Sequence, residues 1–325
     1  MKAVRPVLRT VLLFGLLAAS LHAESGYDAW LRYDRVTSNL TVPAVVTTIH
    51  DSELIGSARA ELIRKGGVEL DVKSVDECLA LEPALAHSGE RPVGGTFAPT
   101  DESGDAHIFT QRLASLCATR GVRFQYGTSI DRLETAAGKV SSVRVRDASG
   151  VSGALHADAV LVCLGTWTPF LLEPVGIRLP IYPVKGYSVT IPVSRADRAP
   201  SVCITDEGHK LAISRLGDRL RVAGTAELSG YDASINDVRC NALLERTKVL
   251  FPDAADFERA QRWAGLRPAT PGNVPVIGRT RLDNLYVNAG HGTLGWTLGC
   301  GSARAIADII SGTRPPVDFR FAGIG

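Results

Sequence analysis

Residues 288–312 read NAGHGTLGWTLGCGSARAIADIISG, and Gly290, Gly292 and Gly295 spell G-x-G-x-x-G within them. In front lies DNLYVNA, residues 283–289, a short apolar stretch that predicts a strand. Behind lies a run in which Ala303, Ile306, Ala307 and Ile310 form an apolar stripe at helical spacing, with Gly312 as its stop. Strand, glycines and helix in this order are the local context of a dinucleotide-binding turn. The wider context differs. A dinucleotide fold follows that helix with a second parallel strand, tipped by an acid that holds the ribose. Here TRPPVDFRFAGIG follows. Pro315 and Pro316 are poor residues for a central strand, and Asp308, the acid nearest the expected offset, falls within the helix.

Two readings of the motif stay open at this point. One is tight strand–helix packing that happens to need glycine. The other is a loop that closes over a different part of a cofactor. The second has a physical basis: a helix N-terminus carries about half a positive charge and several unpaired N–H groups, and glycines let a flat ring approach the backbone. A reduced flavin, with negative charge on its pyrimidine ring, suits such a place.

The 325 residues are long enough for two domains. The net charge of +2, with no basic run, gives no reason to expect a nucleic-acid partner. Cys78, Cys117, Cys163, Cys203, Cys240 and Cys300 show no zinc spacing and no C-x-x-C, and each sits in an apolar or helical context, as reduced core cysteines do. No metal site is expected. At the start, Lys2, Arg5 and Arg9 precede VLLFGLLAA, residues 11–19, with Ala18-Ala19-Ser20 after them. This has the outline of a signal peptide; the competing reading is an ordinary helix. The run is too short for a comfortable membrane span.

Along the chain, TVPAVVTTI (41–49) reads as a strand, SELIGSARAELIRKGG (52–67) as a helix, and DVKSVDECLALEPAL as a short helix stopped by Pro83. GDAHIFTQRLASLCATRG (104–121) predicts a helix that buries Phe109, Leu113, Leu116 and Cys117. VRFQYGTSIDRLET and KVSSVRVRDASG alternate as strands do. ADAVLVCLGTWTPF begins as a strand buried on both faces. IYPVKGYSVTIPV is a strand, KLAISRLGDRLRVAGTAEL a hairpin turning at Leu216-Gly217-Asp218-Arg219, and INDVRCNALLERTKVLF a helix closed by Pro252. Buried parallel strands and an antiparallel meander occur together. They imply a mixed α/β (α+β) chain: a nucleotide-binding layer plus an antiparallel-sheet cap, each discontinuous in sequence.

The quoted C-terminal segment resembles the flavin-contacting segment of D-amino-acid dehydrogenases, in the D-amino-acid oxidase and glycine oxidase superfamily. The likeness continues, in the family's order, through WAGLRPATPGNVPVIGRT (263–280), IYPVKGYSVTIP (181–192), HKLAISRLGDRLRVAGTAEL (209–228), VLVCLGTW (160–167) and VGGTFAPTDESGDAHIFTQRLA (93–114). It covers roughly Glu24 to Gly312. Relatives begin with a strand, a G-x-G-x-x-G turn and a helix that grip the ADP half of FAD. The resemblance therefore implies an N-terminally truncated member with an incomplete Rossmann-like FAD layer. The expected domains are 1–26, a residual helix or signal-like segment; 27–97 with 181–263, the substrate cap; and 98–180 with 264–325, the partial FAD-binding domain.

The resemblance also implies roles. Gly290, His291, Gly292, Thr293, Leu294 and Gly295 would lie against the isoalloxazine of FAD. Gly165 would skirt the dinucleotide, and the backbone of Ile130 would meet the adenine side. Arg267, in GLRP, would hold the substrate carboxylate with bidentate geometry. Tyr182 and Tyr187 would line the pocket, with Lys185 between them on the opposite strand face. His291 would act through its backbone. The reaction implied is hydride transfer from a D-amino acid Cα–H to the flavin, aligned at about 3–3.5 Å, with a quinone chain or similar as electron acceptor. The products are a 2-oxo acid and ammonia. ATPGNVPVIG lacks the acidic turn residue of the family's TPDG-type segment. The expected location is cytoplasmic, with a peripheral inner-membrane association as one variant and export through residues 1–20 as another. A glycine- or sarcosine-type amine oxidase and a non-catalytic remnant are the alternative functions.

Overall fold

A computed structural model of the chain describes residues 11–14, 44–47, 71–99 and 101–315. The helix expected at 52–67 lies outside the described residues, as does most of the signal-like start. Within that start, Val11–Phe14 is a strand, β1, where one of the two sequence readings is a helix. The reason is its neighbour: β1 pairs in parallel with Ala159–Val162, β8, and four consecutive apolar residues suit a strand beside a buried strand.

β8 lies between β1 and Leu285–Ala289, β15, and Val276–Arg279, β14, adds an antiparallel edge. All four residues of β8 are buried. The helix Gly295–Ile310 follows β15 and packs on this sheet through Ile306. Its buried residues are Ser302, Ala305 and Ile306, whereas Ala303 and Ala307 are exposed. The expected stripe is therefore rotated by about one position. The small residues at 302 and 305 let the helix approach the sheet on that side. On the other side of the sheet, Ser129–Ala136 (β5), Lys139–Arg146 (β6) and Ser152–Leu155 (β7) form an antiparallel meander that packs its valines against β8 and β15.

The second layer is an eight-stranded sheet in the order Gln261–Ala269 (β13), Tyr182–Pro192 (β9), Arg219–Glu227 (β12), Leu211–Leu216 (β11), Cys203–Asp206 (β10), Ala44–Thr47 (β2), Gly95–Ala98 (β4) and Asp71–Lys73 (β3). Its working part is β9 (Tyr182–Pro192), flanked by β12 (Arg219–Glu227) and β13 (Gln261–Ala269), both antiparallel. β11 (Leu211–Leu216) and β12 make the expected hairpin, with Leu216 opposite Arg219. One face of these strands carries Tyr187, Val189, Ile191, Leu220 and Val222 into a core. Asp237–Leu250, a helix capped by the Asn236 side chain, covers that face with Cys240, Leu243 and Leu244. β13 runs whole within this sheet, so the domain boundary expected at 263/264 cuts a continuous strand.

Two burial expectations fail at the periphery. The helix Ala106–Thr119 buries Ile108, but Leu113 and Leu116 are 41% and 45% exposed. Cys300 is exposed rather than in the core, while Cys78 and Cys240 are buried; all six cysteines are free thiols. Burial pushes the Cys163 thiol up to about 12, which makes it inert at neutral pH.

Candidate active site

Two glycine-bearing loops converge on the end of β13. The first follows β8, where Gly165 stands at φ +55°. The second follows β15, where Gly290 and Gly292 stand at +81° and +54°. These are left-handed conformations that side-chain-bearing residues rarely adopt. Crowding adds to the requirement at Gly290, where a Cβ would come within 2.9 Å of Thr270 Cγ2. A Cβ on Gly292 would stand 3.9 Å from the Ala269 Cα, and one on Gly165 would stand 4.0 Å from the Pro268 Cγ. The two loops thus flank residues 268–270, which directly follow Arg267.

The helix that starts at Gly295 has no side-chain cap and no acidic residue in its first turn. Its positive end is not compensated locally. Buried side-chain atoms with no hydrogen-bond partner among the described residues gather after β8, at Thr166 Oγ1 and Thr168 Oγ1, and at the end of β15 and the loop beyond it, at Asn288 Oδ1 and His291 Nε2. Buried polar atoms are ordinarily paired, so this group marks where a polar ligand would complete the structure. Burial pushes the His291 imidazole below its ordinary pKa, which leaves it uncharged at neutral pH.

Cross-strand partners share a face of a sheet, and successive residues alternate faces. Arg267 pairs with Val184, Gly265 with Gly186, Trp263 with Ser188, and Ala269 with Tyr182. Arg267 and Tyr182 therefore share the face opposite the core. Tyr187 does not join them. It lies on the core face, 1% exposed, with its hydroxyl donating to Glu227 Oε2 at 2.6 Å. Lys185 also lies on the core face, on the same side as Tyr187 and opposite Tyr182, so the opposition expected from the sequence holds for Tyr182 and fails for Tyr187. Its Nζ bonds Asp232 Oδ2 at 3.0 Å. The odd spacing from 182 to 187 forbids a common face on a regular strand.

The Arg267 guanidinium lies over Gly186, where any Cβ would collide with it. It is half-buried, and desolvation pushes its pKa below the ordinary value, though arginine stays protonated. Its Nη1 donates to the Thr225 carbonyl at 3.1 Å, and no carboxylate among the described residues pairs with it. Thr225 itself stands at φ +66°, an outlier for a β-branched residue, at the bulge between Gly224 and Glu227. The bulge turns that carbonyl toward the guanidinium.

A strap after β12 joins the layers. Gly230 N–H donates to the Tyr182 hydroxyl at 3.3 Å, and the Tyr231 hydroxyl donates to the Thr166 carbonyl at 2.9 Å. The Tyr231 ring packs on Phe170, with centroids 4.7 Å apart. Ile130 sits apart from this cluster, half-buried on β5 against the core beneath β8. A separate cleft of about 360 Å³ lies beside Asn241, Lys248 and Arg262, away from both glycine loops. No group of three or more metal-ligating side chains is present among the described residues.

Sequence reading missed Trp263, the Gly186–Gly265 pair and Thr225. The pair could not be found without the register of β9 against β13, and the bulge at Thr225 leaves no mark in composition.

A family model described as FAD dependent oxidoreductase (DAO) matches residues 17–309. The D-amino acid dehydrogenase of Dechloromonas aromatica (strain RCB) is 48% identical over 262 residues, which cover 81% of this chain and 63% of the relative. That of Methylobacterium sp. (strain 4-46) is 50% identical over 252 residues, 77% of this chain and 59% of the relative. The chain thus spans less than two thirds of the length of these curated relatives. Among solved structures, glycine oxidase from Geobacillus kaustophilus aligns with a TM-score of 0.75 at 23% identity, over 92% of this chain and 79% of that one. At that identity the likeness shows a shared fold.

Proposed function

We propose, from the premise that this chain belongs to the family of FAD-dependent oxidoreductases, that it binds FAD and oxidises D-amino acids at the Cα–N bond. Hydrolysis of the resulting imino acid gives a 2-oxo acid and ammonia. The observation that carries this reading is the half-buried guanidinium of Arg267, without a carboxylate partner among the described residues and next to the two glycine loops.

The residues present fit the cofactor. Gly165, Gly290 and Gly292 leave the backbone open to a flat ring, four buried polar atoms in and beside the loops lack partners among the described residues, and the helix start at Gly295 has no side-chain cap. When bound, FAD supplies the two-electron acceptor. His291 through Gly295 would hold the ring, Gly165 and Thr166 would flank the dinucleotide, and Ile130 would contribute backbone on the adenine side.

The chain's own residues bind and orient. Arg267 takes the substrate carboxylate with two parallel N–H···O bonds, a geometry lysine does not offer. The Thr225 carbonyl fixes the fork before the substrate arrives, so less rotamer freedom is lost on binding. Tyr182 borders the same face, tethered through its hydroxyl to Gly230. His291, uncharged through burial, does not compete with Arg267 for the carboxylate. The Tyr231–Phe170 contact and the Tyr231 hydroxyl bond to the Thr166 carbonyl hold the strap against the loop after β8.

The names of the relatives at 48–50% identity favour the dehydrogenase over an amine oxidase, and so does GHGTLGWT. A dehydrogenase needs an electron acceptor, and a quinone fits that role. No helix among the described residues is long and apolar enough to cross a membrane. We place the protein in the cytoplasm, with peripheral membrane contact as the route to the acceptor.

The test is to incubate the 325-residue chain with FAD, remove free cofactor, and record the absorbance spectrum and the heat of D-alanine binding. Retained flavin absorbance with saturable D-alanine binding is expected. Arg267→Ala should keep the flavin and lose the amino acid; equal D-alanine affinity in both proteins would end the carboxylate assignment.

A further inference from the structure

We propose that Trp263 is the floor on which the substrate side chain rests, and that the face around it selects D-amino acids with apolar side chains over cationic ones. This rests on the carboxylate role of Arg267. Trp263 and Arg267 occupy the same face of β13, two residues apart, with Gly265 between them and Gly186 opposite it. Both glycines are needed for the arrangement. A Cβ on Gly265 would run into the six-membered ring of Trp263, and one on Gly186 would run into the Arg267 guanidinium. The indole and the guanidinium therefore lie down side by side on bare backbone.

A ring lying down on the strand presents a surface rather than an obstruction. Trp263 is 41% exposed, a large apolar area immediately beside the proposed carboxylate anchor. A substrate pinned at Arg267 has its Cα within one side chain's reach of that ring. Indole offers an apolar platform of high contact area at little entropic cost, because only two torsions need fixing.

The far side of the ring is braced by charge. The Arg221 guanidinium stands 5.4 Å from the Trp263 ring centroid, in cation–π contact, and its Nη1 donates to Thr190 Oγ1 at 2.8 Å. Arg221 lies on the same face, because it pairs with Thr190, and Arg219 pairs with Pro192 beside it. Asp105 faces this end of the sheet and pairs with Arg219 at 3.5 Å. Asp105 and Asp218 pair with Arg219, so the charge that stands against the Trp263 ring is that of Arg221. An ammonium or guanidinium on a substrate side chain would meet a like charge there, whereas an aliphatic or aromatic one would meet only the ring.

The test is calorimetric titration of the FAD-incubated full chain with D-alanine, D-leucine, D-phenylalanine and D-lysine. Trp263→Ala is expected to weaken D-leucine and D-phenylalanine roughly tenfold while leaving D-alanine within about threefold, and Trp263→Phe should recover most of the preference. Arg221→Gln should strengthen D-lysine about fivefold relative to D-alanine; it also keeps the test alive if Trp263→Ala melts early. The proposal is overturned if Trp263→Ala strengthens D-phenylalanine, which would make the ring a barrier. It is also overturned if all four ligands weaken equally, which would make the ring a mere support for Arg267. If the unmodified chain binds none of the four, the oxidoreductase reading fails and takes this inference with it. If Arg267→Ala alone abolishes binding while both Trp263 variants match the parent, only the side-chain floor is lost.

Discussion

On the core face of β9, Tyr187 and Lys185 are 1% and 2% exposed, and each has a short bond to a carboxylate, Glu227 or Asp232. On the opposite face, Arg267 has a carbonyl partner and no carboxylate among the described residues, and Trp263 is 41% exposed. The same strands thus carry two polar sets of opposite character. The first set is complete: burial disfavours the Lys185 charge, but bonds to Tyr187 and Asp232 and nearby carboxylates outweigh it, so its pKa is raised. The second set is left with capacity to spare. A protein pays a stability penalty to keep a half-buried charge without a counterion, and such places are where ligands are taken up. The comparison teaches that polarity alone does not mark a site on a sheet; unfinished pairing does.

The largest expected effect comes from deleting the unfinished charge. Arg267→Ala should reduce D-alanine affinity at least a hundredfold, about 2.7 kcal/mol, in a calorimetric titration, with Arg267→Lys recovering only a small part because the fork is lost. A loss below threefold would erase the contrast between the faces.

Gly186→Ala sharpens it next. The added Cβ collides with the flexible end of Arg267 rather than with backbone. Thermal stability should therefore shift by less than about 1 kcal/mol, while D-alanine affinity falls about tenfold as the guanidinium is displaced. A large drop in melting temperature with unchanged affinity would contradict that geometry.

Tyr187→Phe should do the reverse. Removing a buried hydroxyl that donates to a carboxylate costs about 1–2 kcal/mol of stability, read by urea denaturation, and substrate affinity should stay within twofold. If affinity fell as far as stability, Tyr187 would belong to the site after all.

The smallest effect concerns the strap. The Ser234 backbone and side chain, and then Lys185, hold the Asp232 carboxyl down to about 2. A carboxylate depressed in the folded state adds stability above its unfolded pKa of about 3.9, and that stability is lost as pH falls toward about 2. Melting temperature should therefore decline between about pH 4 and pH 2, with a shallower decline in Asp232→Asn. Identical acid profiles would show that the tether contributes nothing.

Much of this was open to reading from the sequence. Continuous apolar residues announced β8, alternation and the turn at Leu216-Gly217-Asp218-Arg219 announced the β11–β12 hairpin, and INDVRCNALLERTKVLF with Pro252 as its stop announced the helix at 237. These signals are local, so the residues that cause them are also the residues that display them. The parity of 182 and 187 was equally available, and it already separated Tyr187 from Arg267's side once β9 was taken as a regular strand. The extended likeness in order, from 93 to 312, pointed to the flavoenzyme family before any fold was known.

Other features were decided only by tertiary structure. The helix Gly295–Ile310 has one apolar side, but which residues on it are buried, Ser302, Ala305 and Ile306, was set by its packing on the sheet. Gly186 and Gly265 became a bed for Arg267 and Trp263 only when β9 and β13, far apart in the chain, paired in one register. Thr225 took up φ +66° because a bulge required it, against the preference of its own side chain. Local propensity is written residue by residue, and it settled the elements. Which side chains lack a partner is a property of surfaces meeting in space, and no single stretch of the chain holds that information.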